Sequence, residues 1–192
     1  VSLSSDSRYL APVAAAERVR QLCLALHQAD AQTAGALWYK KIDSTLRGNI
    51  GAELAAMLTL TTATVTHPCA VVAPAFPAQG RGLVDGYLVY DQAPPHAAHL
   101  PTLLQQQSTL PLATVALPIV RAGVAHLAAT LTAHSAIGAQ LFVADAVTEA
   151  DLETIYQATR VALPQALFCG SAGLIGVIAA ALVQAQDLAT PP

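Results

Sequence analysis

The sequence predicts an α/β fold in which helices cover both faces of a mainly parallel sheet. Short apolar runs alternate along the chain with longer segments whose apolar residues recur at helical spacing. Strands separated by roughly 10–15 residues of helix are typical of βαβ units, whose parallel strands are buried on both faces. Hydrophobic residues make up 54% of the 192 residues, which provides a large core.

The N-terminal half follows this alternation. Val1–Ser5 is predicted as the end of a strand, and the helix after it has Val19 and Leu26 on one face, with Pro12 in the first turn. Asn49 can cap the next helix, and Pro74 ends a buried strand. The predicted elements are a strand end at 1–5, a helix at 12–28, a strand at 36–42, a helix at 49–60 and a strand at 70–73.

The middle of the chain departs from the alternation. Three glycines and the alternating residues 87–90 predict a hairpin, and Pro94, Pro95 and Pro101 predict a loop, so an excursion is expected around residues 80–101. Regular alternation then resumes, which completes a Rossmann-like three-layer arrangement. The later predictions are a short helix at 102–107, strands at 113–117, 140–144 and 166–169, helices at 121–134, 149–162 and 172–185, and a linker at 188–192.

Composition excludes several classes of protein. Disordered chains combine low hydropathy with high charge. This sequence has a mean hydropathy of +0.49 and only 11% charged residues, which excludes a disordered chain. The net charge of -3 excludes a broad cationic surface for nucleic acid or anionic membranes. The longest apolar segment, Leu174–Val183, is too short to span a bilayer. Three cysteines far apart in the chain indicate a reducing compartment, which predicts a cytoplasmic protein.

Ligands of open parallel sheets bind beyond the carboxyl ends of the strands, and four polar segments follow predicted strands. The most informative is Lys40–Asn49, where four ionisable groups and two hydroxyls precede a helix N-terminus. Lys41, Arg47 and the helix end favour a carboxylate or phosphate, and Asp43 can orient or deprotonate a sugar hydroxyl. The alternative is a solvated loop with a structural Asp–Arg pair.

The other three segments have weaker signals. Ser4–Arg8 can bind a ligand or serve as a turn that enters a helix. In Pro74–Gly82 the prolines stiffen a backbone whose glycines allow close approach, with Gln79 and Arg81 as donors; the alternative is a rigid turn. Cys169–Gly173 is a small-residue turn of the phosphate-binding type or a site of close helix packing.

Searches for other site types exclude most of them. No phosphate-binding loop with a terminal Gly-Lys is present, and the nucleophile elbow fails because Cys169 replaces its first glycine. The pairs His67/Cys69 and His96/His99 supply two ligands each, whereas a zinc site needs at least three. No metal site is therefore predicted.

Two long motifs, KKIDSTLRGNIGAEL at Lys40–Leu54 and VVAPAFPAQGRGLVDG at Val71–Gly86, resemble the four-carbon acid sugar kinase family. Ser5–Arg8 and Gly170–Leu174 are similar to two shorter motifs of that family. The resemblance implies ATP-dependent phosphorylation of threonate, erythronate or 3-oxo-tetronates. It also implies that residues 1–187 are the N-terminal sugar-acid-binding domain without its first strand and acidic loop, and that 188–192 lead toward an absent nucleotide-binding domain.

The resemblance and the residue chemistry together suggest roles. Asp43 and Arg47 are the predicted catalytic residues, with the family's acidic loop an equal contender for the general base. ATP and Mg²⁺ are expected to be bound mainly by the absent domain, with a weaker contribution from Gly170, Ser171 and Gly173. The residues assigned to the substrate are Ser7, Arg8, Lys41, Asp43, Ser44, Thr45, Arg47, Gly48, Asn49, Gln79, Gly80 and Arg81.

Two other functions are compatible with parts of this pattern. One is a stand-alone, non-catalytic module that binds small carboxylates or sugars. The other is a nucleotide-dependent oxidoreductase, which requires a glycine-rich turn after the first strand and a ribose-binding acid, and neither is present. The low charge content is a hint to the assembly: a domain without its first strand and its partner domain is expected to expose apolar edges, which predicts a homo-oligomer or a covering segment from another chain.

Overall fold

A computed structural model describes residues 1–29, 36–61, 65–90 and 98–189. Seven helices are present in these ranges: α1 Pro12–Ala29, α2 Ile50–Thr61, α3 Leu100–Gln107, α4 Leu117–Arg121, α5 Val124–Ala136, α6 Glu149–Ala162 and α7 Ala172–Ala189. The strands are β1 Tyr39–Lys41, β2 Ala70–Ala73, β3 Arg81–Val84, β4 Tyr87–Tyr90, β5 Leu112–Val115, β6 Leu141–Ala144 and β7 Leu167–Gly170. The predicted α/β class is confirmed.

Five of the strands form one sheet in the order β1-β7-β2-β6-β5. Every neighbouring pair in this sheet is parallel, and Val71 of β2 lies opposite Phe168 of β7 and Phe142 of β6. Because all five strands run the same way, their carboxyl ends meet at one edge of the sheet. Three of the four polar segments identified in the sequence follow strands of this sheet, namely β1, β2 and β7, and lie at that edge.

Helices cover both faces of the sheet and enclose two apolar cores. Successive strand residues point to opposite faces, so Val71 and Ala73 pack against α4–α7 while Ala70 and Val72 pack against the other layer. That second layer contains α1, α2, α3 and the β3–β4 hairpin. The short, fully apolar strands of the sequence are explained by burial on both sides.

The hairpin is attached to the sheet through the buried side chain of Asp145, which follows β6. Its carboxylate accepts hydrogen bonds from the backbone N–H groups of Asp85 (2.7 Å) and Gly86 (3.0 Å), the two turn residues. Both have positive φ, 50° and 75°. Burial raises the pKa of Asp145 above its usual range although these bonds oppose the shift. Leu83 of β3 also pairs with Ala146, so the hairpin is fixed beside β6.

Several predicted boundaries differ from the structure. Residues 1–5 form no strand, because a strand needs a hydrogen-bonded neighbour and none of the described segments pairs with them. The helix predicted at 121–134 corresponds to α5, which begins later, at Val124; a separate helix, α4, precedes it, and Gly123 between them has φ of 95°. Pro118 suits the first turn of α4. Because α4 begins at Leu117, β5 ends at Val115 and not at residue 117 as predicted.

Two predictions fall at the margins of the described residues. Most of the loop predicted around 91–101, including His96, lies outside them, as does the end of the linker predicted at 188–192. Leu188 and Ala189 belong to α7. Among the described helices, none is long and apolar enough to cross a bilayer.

Candidate functional site

The loop that follows β1, residues 42–49, is the centre of the candidate site. It starts at the carboxyl edge of the sheet, where the Ile42 N–H donates to the Gly170 carbonyl at the end of β7. Ile42 and Leu46 are buried and fix the loop to the core. Arg47, which follows Leu46 in the sequence, is exposed. Apolar anchors therefore hold the loop in place and leave the side chain of Arg47 available.

Asp43 organises this loop. Its carboxylate accepts hydrogen bonds from the Thr45 backbone N–H (3.2 Å) and hydroxyl (2.8 Å) and forms an ion pair with Arg47. Burial acts to raise the pKa of Asp43, but the bonds from Arg47 and Thr45 outweigh it and lower that pKa to about 2. An ionised carboxylate beside a guanidinium can accept hydrogen bonds from sugar hydroxyls while the cation faces an anion.

The glycine-rich turn before the hairpin reaches the same loop through Arg81. The Arg81 guanidinium donates to the buried Ser44 hydroxyl over 2.6 Å. Phe76 and Arg81 pair across the turn, and Gly80 adopts a left-handed conformation with φ of 61°. Gln79 is exposed in the same 3₁₀ turn. The structure therefore brings Arg81 to the Asp43 loop, although the two segments are 37 residues apart.

The N-terminal segment is the third contributor. The Asn49 side-chain amide donates to the carbonyls of Ser7 (3.2 Å) and Leu10 (2.9 Å). Arg8 packs on Gly48, because a Cβ built at that glycine would lie 3.5 Å from Arg8 Cγ. Gly48 has φ of 99°, which only glycine adopts readily. Arg8 is exposed, and its backbone and Cγ lie beside the loop, so its side chain is available to a ligand there.

The two adjacent lysines have different environments. Neighbouring strand residues point to opposite faces, and Lys40 points into the protein, where it forms an ion pair with the buried Glu53. Lys41 is exposed, and its ammonium donates to the Ile42 carbonyl over 2.9 Å. Of the two, only Lys41 is available to a ligand in this arrangement.

The turn after β7, Gly170–Gly173, is packed tightly against β2. A Cβ at Gly170 would lie 2.6 Å from the Ala73 carbonyl, and one at Gly173 would lie 2.6 Å from the Ala75 carbonyl. Ser171 is buried, and its hydroxyl donates to the Ala75 carbonyl over 2.7 Å. These contacts account for the small residues by close packing. Nucleotide binding by Gly170, Ser171 and Gly173 stays a prediction.

Sequence reasoning missed two polar residues that shape the site. Gln107 at the end of α3 accepts from the Gly51 N–H (2.8 Å) and donates to the Gly48 carbonyl (3.0 Å). The Gly51 N–H at the start of α2 is therefore already paired within the chain. Glu53 was missed because a glutamate in a helix is normally expected to face solvent. In the structure Glu53 is buried, with only 4% of its surface exposed. No sequence signal identified Gln107.

Outside this loop, the described chain has a surface cavity and three buried thiols. A surface cavity of about 160 Å³ lies at the opposite edge of the sheet, lined by residues that include His67, Ser135 and Gln140, and it contains none of the predicted site residues. Within the described ranges, no three His, Cys, Asp or Glu side chains are grouped so that they could hold a metal ion. Cys23, Cys69 and Cys169 are free and buried.

Comparison with known proteins now places the chain. A sequence model described as "Sugar-binding N-terminal domain" matches residues 1–178. The chain belongs to the sugar-binding N-terminal domain family. This confirms the resemblance drawn from the two long motifs, because the curated relatives of this domain are sugar-acid kinases.

Two of these relatives are D-threonate kinases. The one from Cupriavidus necator is 37% identical over an alignment 192 residues long, which covers 94% of this chain and 43% of the relative. The one from Salmonella typhimurium is 36% identical over 155 residues, 74% of this chain and 35% of the relative. A D-erythronate kinase from Heliobacterium modesticaldum is 34% identical over 170 residues, 81% of this chain and 37% of the relative. The chain thus spans less than half the length of these relatives.

Solved structures of relatives show the same fold as this sugar-binding domain. Haemophilus influenzae protein HI1011 superposes with a TM-score of 0.76 at 25% identity, over 92% of this chain and 44% of that one. A Bordetella bronchiseptica domain, described as a domain-swapped dimer with bound citrate, superposes with a TM-score of 0.68 at 30% identity, over 91% of this chain and 42% of that one.

Proposed function

We propose that this chain is the substrate-binding domain of an ATP-dependent kinase that phosphorylates a four-carbon sugar acid such as threonate, erythronate or 3-oxo-tetronate. The observation that carries the proposal is the placement of three arginines at one loop. Arg8 packs on Gly48, Arg47 pairs with Asp43 in the loop itself, and Arg81 donates to Ser44. The names of the curated relatives support the same class of substrate.

The chemistry of this loop matches a small hydroxylated anion. Guanidinium groups bind carboxylates through paired N–H donors, so we assign the substrate carboxylate to Arg8, Arg47 and Arg81, with Lys41 nearby in the chain. Hydroxyl groups need acceptors and donors, which Asp43, Thr45 and the exposed Gln79 provide. In this proposal Arg47 binds the anion, and Asp43 orients a hydroxyl and can accept its proton.

ATP would supply the phosphoryl group, and the described residues do not fit a complete site for it. Gly170 and Gly173 are packed against the backbone carbonyls of Ala73 and Ala75, and Ser171 is only 1% exposed. No cluster of metal-binding side chains occurs in the described ranges. We therefore infer that ATP and Mg²⁺ bind mainly to another part of the protein, and that this chain positions the acceptor.

Isothermal titration of the chain with D-threonate, D-erythronate and the neutral tetritols threitol and erythritol tests the binding proposal. We expect the acids to bind and the tetritols to bind at least tenfold more weakly, because only the acids engage the guanidinium groups. Arg47→Ala should remove most of the preference for acids. Equal binding of acids and tetritols, or equal preference in Arg47→Ala, would contradict the assignment.

The kinase step needs a separate measurement. A coupled ADP-release assay on the complete gene product, with the same acids, should show acid-dependent release of ADP. The alternative is a non-catalytic module that binds small carboxylates, and it predicts acid binding without release of ADP. Binding and turnover together therefore distinguish the two functions.

In this proposal the domain also associates with a second copy of itself. Exposed apolar side chains lie on the N-terminal segment and the start of α1, where Tyr9 is 87% exposed and Val13 is 83% exposed. Burial of such residues between two copies would be favourable. Sedimentation equilibrium over a hundredfold range of protein concentration should show association, and a monomer at every concentration would contradict it.

A further inference from the structure

The ion pair of Lys40 and Glu53 is the feature of the candidate site that the proposed chemistry leaves unexplained. Lys40 lies on β1 and Glu53 on α2, and their side chains are 14% and 6% exposed. Removing two charges from water has a cost that their mutual attraction does not always offset, and apolar residues of the same size often stabilise a protein as well. A buried pair at this position therefore calls for a reason other than stability.

Glu53 has a second partner. Its other carboxylate oxygen accepts a hydrogen bond of 2.5 Å from the hydroxyl of Ser7, 46 residues earlier in the chain. The Ser7 hydroxyl also lies 2.7 Å from that of Ser5, and the Ser7 carbonyl accepts from Asn49. Lys40 fixes one oxygen of the carboxylate, and the other oxygen holds the N-terminal segment on α2.

The residue after Ser7 is Arg8, which packs on Gly48 at the edge of the candidate site. Arg8 itself is exposed, so the attachment of its neighbours determines where its guanidinium lies. We infer that Glu53, held by Lys40, is a positioning residue that sets the place of Arg8 through Ser7 and thereby contributes to recognition of the substrate carboxylate. This inference rests on the proposed function.

The test replaces the buried pair by apolar residues of similar size, Lys40→Met with Glu53→Leu, so that no unpaired charge is left in the core. Two properties are measured on the 192-residue chain: amide hydrogen exchange at residues 7–10 and the dissociation constant for D-threonate. We expect faster exchange in that segment and about tenfold weaker binding, because Arg8 loses its fixed position. The single substitution Glu53→Gln should keep most of the wild-type affinity. Its side-chain amide can accept a hydrogen bond from Lys40 and donate one to Ser7.

A double-mutant cycle with Arg8→Ala separates positioning from general destabilisation. If Glu53 acts through Arg8, the paired substitution weakens binding by less than about twofold once Arg8 is already alanine. An equal, roughly tenfold loss in both backgrounds would overturn the inference. The matched control is the exposed Glu17–Arg20 pair of α1, and Glu17→Gln with Arg20→Gln should leave both measurements unchanged.

The remaining outcomes also decide the question. Wild-type affinity or unchanged exchange in the paired variant would overturn the inference. Should that variant fail to fold, Ser7→Ala keeps the ion pair and is expected to give the same faster exchange at residues 8–10. A wild-type chain that binds no tetronate would refute the proposed function, and the exchange experiment would still show whether Glu53 holds the segment.

Discussion

The guanidinium of Arg81 donates to the hydroxyl of Ser44 over 2.6 Å and joins the glycine-rich turn to the loop after β1. Ser44 is 6% exposed, so this bond is largely shielded from water. It connects two motifs that are separate in the sequence and are both assigned to the substrate. The bond therefore couples the position of Arg81 to the conformation of the Asp43 loop.

Replacing Ser44 by alanine should weaken binding of D-threonate. A hydrogen bond to a charged donor contributes about 1.5–3 kcal/mol, and part of this is regained from water around the half-buried Arg81, so we expect a loss of affinity of about threefold to tenfold. Titration calorimetry measures it. Thr154→Ala, which removes an exposed hydroxyl bonded to Ala150 on α6, is the control and should bind normally. Equal affinity of Ser44→Ala and wild type would show that Arg81 does not depend on Ser44.

The pH dependence of stability should reveal the Asp43 ion pair. Its pKa is about 2 in the folded protein, and an unfolded aspartate has a pKa of about 3.9. Because the folded value is the lower one, the stabilisation is fully present above about pH 4 and is lost as the pH falls toward 2. The difference in unfolding free energy between wild type and Asp43→Asn should therefore be constant above that range and shrink below it.

The control for this experiment is Arg47→Ala. Removal of the guanidinium should raise the Asp43 pKa and move the loss of stability to higher pH. A free-energy difference between wild type and Asp43→Asn that does not change down to pH 2 would contradict the ion pair.

Gly173→Ala and Gly176→Ala, both in the first half of α7, should have opposite effects. A Cβ at Gly173 would lie 2.6 Å from the Ala75 carbonyl, and backbone atoms cannot move aside cheaply, whereas a Cβ at Gly176 meets no atom within 4 Å. We expect Gly173→Ala to lower the unfolding free energy by about 1–3 kcal/mol through overpacking. Gly176→Ala should raise it by up to about 1 kcal/mol through helix propensity. Urea denaturation compares them, and a neutral Gly173→Ala would contradict the tight packing of α7 against the Ala75 backbone.

Asp145→Ala should detach the hairpin from the sheet. The substitution leaves the backbone N–H groups of Asp85 and Gly86 without their buried acceptor. Each unpaired buried group costs about 1–3 kcal/mol, so we expect a comparable fall in the unfolding free energy and faster amide exchange at residues 81–90. Asp85→Asn is the control, since asparagine tolerates the positive φ of that exposed turn residue. Unchanged exchange in the hairpin would rule out this role for Asp145.

Residue patterns predicted elements that are stabilised locally or by continuous burial. The strand at 70–73 was predicted with the observed bounds, because four apolar residues before Pro74 fit a strand buried on both faces. The hairpin was predicted from three glycines and the alternation at 87–90, and the structure has it as β3 and β4, joined by a turn at Asp85 and Gly86. The prediction of a strand at Val1–Ser5 was wrong. A strand forms only beside a hydrogen-bonded neighbour, which no local sequence pattern reveals.

Some of the polar residues in and around the candidate site could be predicted from the sequence, and others could not. The Lys40–Asn49 and Pro74–Gly82 segments were selected because charged residues after buried strands are conspicuous in a chain with so few charges. Glu53 and Asp145 were not selected, because a buried carboxylate is recognised only by the donors that surround it. Those donors come from residues 46 and about 60 positions away in the chain.

The sequence alone determined the α/β class and most of the order of its elements, since these follow from apolar periodicity. It also predicted the chemical character of the ligand that we propose, from the types of side chain after each strand. The tertiary structure alone decided which charges act together: Lys40 turned inward to Glu53 while Arg8 and Arg81 reached the Asp43 loop. The reason is physical. Periodicity depends on neighbours along the chain, whereas ion pairs depend on which strands and helices the core brings together.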